Sequence, residues 1–391
     1  MKMDLKDLRP THVIIDVDAL IHNIKFVRKC AGDDTLVTAV VKADAYGHGA
    51  VEAAKIFLEN GADRLAVASL NEAVELRNAG IKAPLLILGY TPNSAFETLV
   101  RNDIIGTIYS LESAMALSEA GRKLGKNAMC HIKIDSGMSR IGLQASEETI
   151  EAIKEIAKLP NLEIEGIFTH MARADEKDKS SAKDQLEKFK WTCDRLAEEG
   201  IDIKIRHISN SAGINDLMPD FKMDMVRAGI ILYGLRPSDD VDLDHLDVKP
   251  AMTFRTELAH VKVLPKGRGI SYGHKYVTDH DERIGTIPVG YADGYTRMLS
   301  SKAKVGINGK VAKQVGNICM DQCMISLDGV DAEVGDEVIL FGNGEGGFPT
   351  ADDLAKILGT INYEIVCMIN RRVPRVYVKV GQVVKIVDYL E

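Results

Sequence analysis

Several features that mark whole classes of protein are missing from this sequence. No run of about 18 apolar residues occurs, so no membrane span is predicted. The N-terminus, "MKMDLKDLRPTHVIIDVD", is charged and has no apolar stretch running into a small-residue cleavage site. It does not read as a secretory signal, and a cytoplasmic location is expected. Positive charge is not in excess: the formal net charge is −8, spread over both halves. That argues against a nucleic-acid or anionic-membrane partner, since either needs a positive patch. None of the six cysteines (Cys30, Cys130, Cys193, Cys319, Cys323 and Cys367) stands in a C-x-x-C pair. Cys319 and Cys323 have no His/Cys set downstream, so neither a zinc site nor a disulfide framework is expected, and no metal ligand is assigned. The cysteines are expected to be buried free thiols.

What is present is a globular pattern. An apolar content of 46% argues against disorder, and 391 residues exceed one typical core, so two domains are expected. The first two-thirds read as strand–helix units, with strands at 36–42, 64–69, 84–89, 104–109, 128–134, 163–169, 203–209 and 225–231. Amphipathic segments follow most of them. "SLNEAVELRNAG" (69–80) opens on a capping box, Ser69 with Glu72, and closes on Gly80. "SLESAMALSEAGRKLG" (110–125) has a Ser cap, and "SEETIEAIKEIAKLP" (146–160) stops at a proline. An extra helix at 18–30 puts Leu20, Ile21, Ile24 and Val27 on one face. Eight alternating units predict a (β/α)8 barrel of about 250 residues, with a doubly wound open sheet as the alternative. After residue 247 helices nearly vanish. Short β-prone runs and turn signals take over, including the hairpin dipeptide Asn308-Gly309. The expected division is a barrel at 1–247 and a mainly β domain at 248–391, interrupted by one helix at 350–358. "GNGEGG" (342–347) fits a dinucleotide-binding fingerprint, but no βαβ unit continues from it, so it is read as a flexible loop.

In a barrel, chemistry collects at the C-terminal ends of strands. Strand one ends at Lys42. Strand five carries His131, Lys133 and Asp135 on one face. Strand six ends at His170, strand seven at Asn210 and Ser211, and strand eight holds Arg227 in an apolar run. Cations are rarely buried without partners. For any one of Lys42, Lys133 and Arg227 a local ion pair, such as Lys133 with Asp135, is the alternative reading. A desolvated lysine can be a neutral nucleophile that condenses with carbonyls, including pyridoxal phosphate. Ser211 and the turn at 227–230 supply hydroxyl and N–H groups where barrels bind phosphate. The residues therefore point to a Schiff-base lysine with a phosphate-bearing cofactor.

The motifs "AVVKADAYGHGA", "IKIDSGMSRIG", "GIFTHMARADE", "SNSAG", "MVRAGIILYGLRPS", "ISYGHKY", "PVGYADGY", "VGNICMDQCMI" and "INYEIVCMINRRVPRVY" resemble the bacterial alanine racemases, in family order and over both expected domains. The resemblance implies pyridoxal 5'-phosphate as cofactor, carried on Lys42. It implies phosphate ligands at Tyr46, Ser211, Gly229, Ile230 and Tyr363, with Arg227 facing the pyridine nitrogen. Arg140 is similar to the residue at the cofactor's phenolic oxygen and the substrate carboxylate. Lys133 resembles a lysine that many members carry as a carbamate, which would accept hydrogen bonds from Arg140 where a second cation would repel it. Tyr272 looks like a second catalytic base entering from the other subunit, which implies a homodimer. His170, placed with the cofactor-binding residues, resembles its hydrogen-bonding partner. Met320 and Tyr291 resemble substrate-side residues. The implied reaction interconverts L- and D-alanine, supplying D-alanine for peptidoglycan.

Chemistry agrees with a pair of bases, since racemisation removes a proton on one face of the α-carbon and returns it on the other. Arginine keeps its proton, so Arg227 cannot protonate the ring nitrogen. That is expected to favour simple reprotonation over transamination. Two positions depart from the common pattern: Asn317 stands where many members have Arg, and Arg173 where many have a small or polar residue. Both are expected near the access channel, and Arg173 bears on how strict the alanine specificity is. The rival readings are a broad-specificity or serine racemase and a non-catalytic pyridoxal-phosphate-binding protein. A related decarboxylase would need a Gly-Gly-Gly run and a Cys-Glu-Ser-x-Asp motif, and neither is present.

Overall fold

The computed structural model describes residues 8–390. Eight short parallel strands line its first part: Leu36–Val40, Arg64–Val67, Leu85–Ile87, Gly106–Ile108, Ala128–Asp135, Leu162–Phe168, Ile205–His207 and Met225–Ala228. Each falls within or beside a predicted strand. Strands covered on both faces read as continuous apolar runs, and Leu85–Ile87 and Met225–Ala228 are buried throughout. Closure separates a barrel from an open sheet. Met225–Ala228 pairs in parallel with Leu36–Val40, with Met225 opposite Leu36 and Arg227 opposite Thr38. The remaining joins are made by pairs of backbone bonds: Ile87 N–H donates to Ile105 O at 3.0 Å and Ile105 N–H to Leu85 O at 2.9 Å, while Arg227 N–H donates to Ser209 O at 3.0 Å and Asp224 N–H to Arg206 O at 3.1 Å. The ring is therefore complete, as the count of eight predicted.

The helices form where their caps and faces say they should. Val17–Ala31 buries Leu20, Ile24 and Val27, and Asp16 accepts from Ala19 N–H at its start. Leu70–Asn78 carries the Ser69/Glu72 capping box, a device worth about 1 kcal/mol. Leu111–Leu124 starts at the Ser110 cap.

The rest of the chain is organised by a ten-stranded sheet, which includes Met252–Glu257, Glu282–Ile287, Glu337–Phe341 and Arg375–Lys379. One piece of the expected 1–247 barrel lies elsewhere. The strand His12–Asp16 belongs to this sheet, antiparallel to Met252–Glu257 and parallel to Arg375–Lys379. Its alternation buries Val13 and Ile15 completely. An alternating five-residue strand does not name its partner in sequence, so its location had to come from the fold. Asn308 and Gly309, with φ of 47° and 71°, make the predicted tight turn between Lys304–Ile307 and Lys310–Val315. The 342–347 segment is a loop with one short 3-10 turn ahead of the helix Ala351–Leu358. All six cysteines are free thiols, but only Cys130 and Cys323 are buried and Cys367 is exposed, against the expectation that all would be buried. Among the described residues no helix is long and apolar enough to cross a membrane.

Candidate active site

Lys42 follows the first barrel strand, and the backbone then turns the wrong way. Ala43, Asp44, Ala45 and Tyr46 have φ of 53°, 54°, 52° and 51°, a left-handed turn of four consecutive non-glycine residues. Such a conformation costs about 1–2 kcal/mol per residue, so its surroundings must impose it. Glu72 of the capping box accepts from Ala43 N–H at 2.7 Å. Asp44 accepts from Ala50 N–H at 2.9 Å and from the Tyr389 hydroxyl at 2.9 Å. His48 is buried, and its Nδ1 lies 2.9 Å from Tyr46 O and 3.1 Å from Ala45 O. A ring nitrogen facing two carbonyls must carry the proton, so Nδ1–H donates. From the β-sheet side, Arg375 Nε donates to Gly47 O at 3.1 Å and the Tyr377 hydroxyl to His48 O at 2.8 Å. Burial, then Arg140, lowers the pKa of Lys42, which favours its neutral amine.

The turn brings Tyr46 back against the barrel end, its ring centroid 4.9 Å from that of Tyr233 and 6.1 Å from that of Tyr363. Ser211 opens the helix Ser211–Asp216 after the seventh strand, and its Oγ accepts from Gly229 N–H at 3.0 Å. Ile230 begins the turn that follows the eighth. A β-carbon on Gly229 would stand 2.8 Å from the Tyr46 hydroxyl and 3.5 Å from Ser211 Oγ. Two hydroxyls and a glycine backbone thus share one concave spot. Burial pushes the Tyr46 and Tyr363 hydroxyls up in pKa, so both stay neutral donors.

Inside the barrel Lys133 is 3% exposed and its Nζ has no hydrogen-bond partner. It lies 4.7 Å over the Phe168 ring, and burial, followed by Arg227 and Arg140, lowers its pKa to about 6. The ion pair with Asp135 does not form: Asp135 accepts instead from Gly137 and Ser139 N–H, both at 3.0 Å. Arg227 is buried, and both of its terminal nitrogens are engaged. It donates to Thr169 O at 2.8 Å, Ile208 O at 3.0 Å, His207 Nδ1 at 2.8 Å and His170 Nδ1 at 3.3 Å. Burial, then Arg227, keeps His170 neutral. Arg140 is exposed, close enough for its charge to act on Lys42, Lys133, His170 and Arg227.

A desolvated lysine, a hydroxyl cradle and an interior arginine meet at one mouth, and comparison with known proteins agrees with them. The model of the alanine racemase N-terminal domain matches residues 15–237, and that of the alanine racemase C-terminal domain matches residues 251–377. The chain belongs to the alanine racemase family. It is 50% identical over 388 residues to the alanine racemase of Clostridium tetani, covering 98% of this chain and all of that protein. The solved alanine racemase of Clostridium difficile 630 superposes with a TM-score of 0.95 at 49% identity, over 98% of this chain and 99% of that one. A structure of the same enzyme in complex with cycloserine gives 0.93 at 48% identity, over 98% of this chain and all of that one. Alanine racemases are a pyridoxal-phosphate family. The cradle fits a phosphate, Lys42 fits a carbonyl-condensing amine, and the buried Lys133 Nζ is without a hydrogen-bond partner.

The other residues singled out by resemblance to the alanine racemases are exposed in the single chain. Tyr272 is 70% exposed, Met320 52% and Tyr291 43%. Backbone bonds tie the last two together: Tyr291 N–H to Cys319 O and Ala292 N–H to Met320 O, both at 3.1 Å. Asn317 is buried, and its Nδ2 donates to Tyr272 O at 2.5 Å. It therefore holds the Tyr272 backbone, a role that sequence reasoning did not assign to it. Arg173 turns outward to pair with Glu176 and touches none of the site residues. Also missed were Asp44, Glu72, Glu165 and His207, while His131 was placed on its strand face but given no role. The capping box pointed to Glu72, but nothing in sequence showed that its carboxylate spans to Ala43.

Proposed function

We propose that this chain interconverts L- and D-alanine with pyridoxal 5'-phosphate on Lys42, using Lys42 and Tyr272 as bases on opposite faces of the α-carbon. When bound, the cofactor supplies an electron sink that acidifies the α-hydrogen. Tyr46, Ser211, Gly229, Ile230 and Tyr363 hold the phosphate, and Arg227 offers an N–H to the ring nitrogen without surrendering a proton. Arg140 orients the substrate carboxylate. Lys133, whose buried amine is neutral at pH 7.5, adds to CO2 with loss of one proton, giving a carbamate that anchors Arg140. Tyr291 and Met320 close the substrate side.

The observation that carries this reading is the convergence of the desolvated Lys42 with the Tyr46–Ser211–Gly229 cradle. The wide exposure of Tyr272, Tyr291 and Met320 supports a homodimer in which these groups complete the site of the second chain, with His170 meeting the incoming Tyr272. The proposal includes a cytoplasmic location and supply of D-alanine for peptidoglycan.

The test is an absorbance scan of the purified protein with an L-to-D assay on alanine, serine and lysine. Conversion of alanine, lost in Tyr272→Phe while the cofactor's visible absorbance persists, is the expected result. Unchanged conversion in Tyr272→Phe would sink the second base, and absence of any conversion would sink the reading.

A further inference from the structure

A file of hydrogen bonds runs through the barrel core beneath the site. Arg227 Nη1 lies 2.8 Å from His207 Nδ1. His207 Nε2 lies 2.8 Å from His131 Nδ1, and His131 Nε2 lies 2.8 Å from Glu165 Oε2. Glu165 is in turn gripped by both terminal guanidinium nitrogens of Arg64. Five strands contribute one residue each. The two imidazoles are wholly buried, whereas the Glu165 side chain is 11% exposed.

The two ends of the file dictate its proton order. Arginine has donors only and an ionised carboxylate acceptors only. Arg227 must donate, so His207 Nδ1 is bare and His207 Nε2 carries the proton. His131 Nδ1 must then accept, and His131 Nε2–H donates to Glu165. Reversing either imidazole sets two donors face to face. The ionised state of Glu165 follows from its partners: burial pushes the carboxyl up, but Arg64 and His131 outweigh it and hold it at about 2. Packing blocks the alternative of turning the rings. The Phe168 ring stacks on His207 at 4.8 Å with the planes 4° apart. Gly166 passes so close to His131 that a β-carbon there would meet the ring at 2.6 Å.

We propose that Glu165 is a positioning residue for racemisation: through His131 and His207 it presents a bare nitrogen to Arg227, and so fixes the guanidinium where it faces the cofactor ring. This rests on the reading of Arg227 given above. Glutamine at 165 keeps an acceptor for His131 and preserves the order. Leucine removes the acceptor and leaves His131 Nε2–H buried without a partner; reversing both imidazoles relieves this only as Arg227 swings away from the His207 Nδ1–H it would then face, which displaces the guanidinium.

The experiment uses the holoenzyme labelled with nitrogen-15 in its histidines and reads the side-chain tautomers beside kcat and KM. Both imidazoles are expected as Nε2–H in the wild type and in Glu165→Gln, with kcat of the variant within about threefold. Glu165→Leu is expected to shift both to Nδ1–H and to lower kcat by about tenfold or more with little change in KM, the usual scale for a displaced orienting group. Should Glu165→Leu not fold, His131→Phe removes the acceptor of His207 Nε2–H and is read the same way. Unchanged tautomers in the leucine variant, reversed tautomers with unchanged kcat, or a glutamine variant that behaves like leucine would each overturn the proposal. A wild type that fails to racemise alanine would sink the proposed function instead, since the tautomers are read independently of turnover.

Discussion

Gly229 and Lys133 show how single residues in this protein are chosen by what surrounds them. Gly229 does not need a left-handed backbone; it needs to have no side chain. An alanine there would push a methyl to 2.8 Å from the Tyr46 hydroxyl, filling the cradle. Gly229→Ala is therefore expected to raise the cofactor dissociation constant at least about tenfold, or about 1.4 kcal/mol. Titration of the apoprotein with pyridoxal phosphate checks it, and wild-type affinity would refute the cradle. Lys133 was visible in sequence as a cation inside an apolar strand. So were Lys42 and Arg227, because charge in a core is conspicuous. His207 was not, and His131 was seen on its strand without a role, since a histidine in a strand is unremarkable until its neighbour is known.

At the scale of elements, the left-handed turn at 43–46 is the most constrained piece of the site. "KADAYGHG" has no run of glycines to announce it, and local propensity opposes it. It exists because Glu72, Tyr389, Arg375 and Tyr377 reach it from a neighbouring helix and from the C-terminal region. Asp44 is its hub, bonded forward to Ala50 and across to Tyr389. Asp44→Ala is expected to cost about 1–3 kcal/mol, the usual penalty for leaving buried partners unpaired. It should also lower kcat by misplacing Lys42. Urea unfolding and steady-state kinetics together test this, and loss of stability with full activity would show that Lys42 does not depend on the turn. By contrast, the capped helices and the Asn308-Gly309 hairpin were legible in sequence, because their determinants lie within four residues of one another.

Two expectations concern the molecule as a whole. The first is pH. Burial keeps His48 neutral down to about 4, and likewise depresses His131, His170 and His207. In the unfolded chain each takes a proton near pH 6.5. Below that pH the unfolded state binds more protons, so stability is full above it and falls on acidification. Where its amine is unmodified, Lys133, held at about 6, acts in the same direction. The free energy of unfolding is expected to drop by at least about 2 kcal/mol between pH 7.5 and 5.5; a flat urea midpoint would mean that these groups titrate normally. The second concerns assembly. If Tyr272 serves the other chain, mixing Lys42→Ala with Tyr272→Phe creates hybrid dimers with one intact site. Random exchange of a twofold dimer then restores up to about a quarter of wild-type activity. If Tyr272 acts within its own chain, no activity returns.

The sequence by itself determined the barrel, the β-rich remainder, the family and most of the mouth. Strand and helix periods, caps and misplaced charges are short-range patterns that a chain displays before it folds. Only the tertiary structure decided the rest. It closed the ring by setting Met225–Ala228 against Leu36–Val40, and it moved His12–Asp16 into the far sheet. It forced the left-handed turn after Lys42 and threaded Arg227, His207, His131 and Glu165 into one directed file. Each of these depends on pairing between residues distant in sequence, and an alternating strand or a lone polar side chain carries no record of its partner.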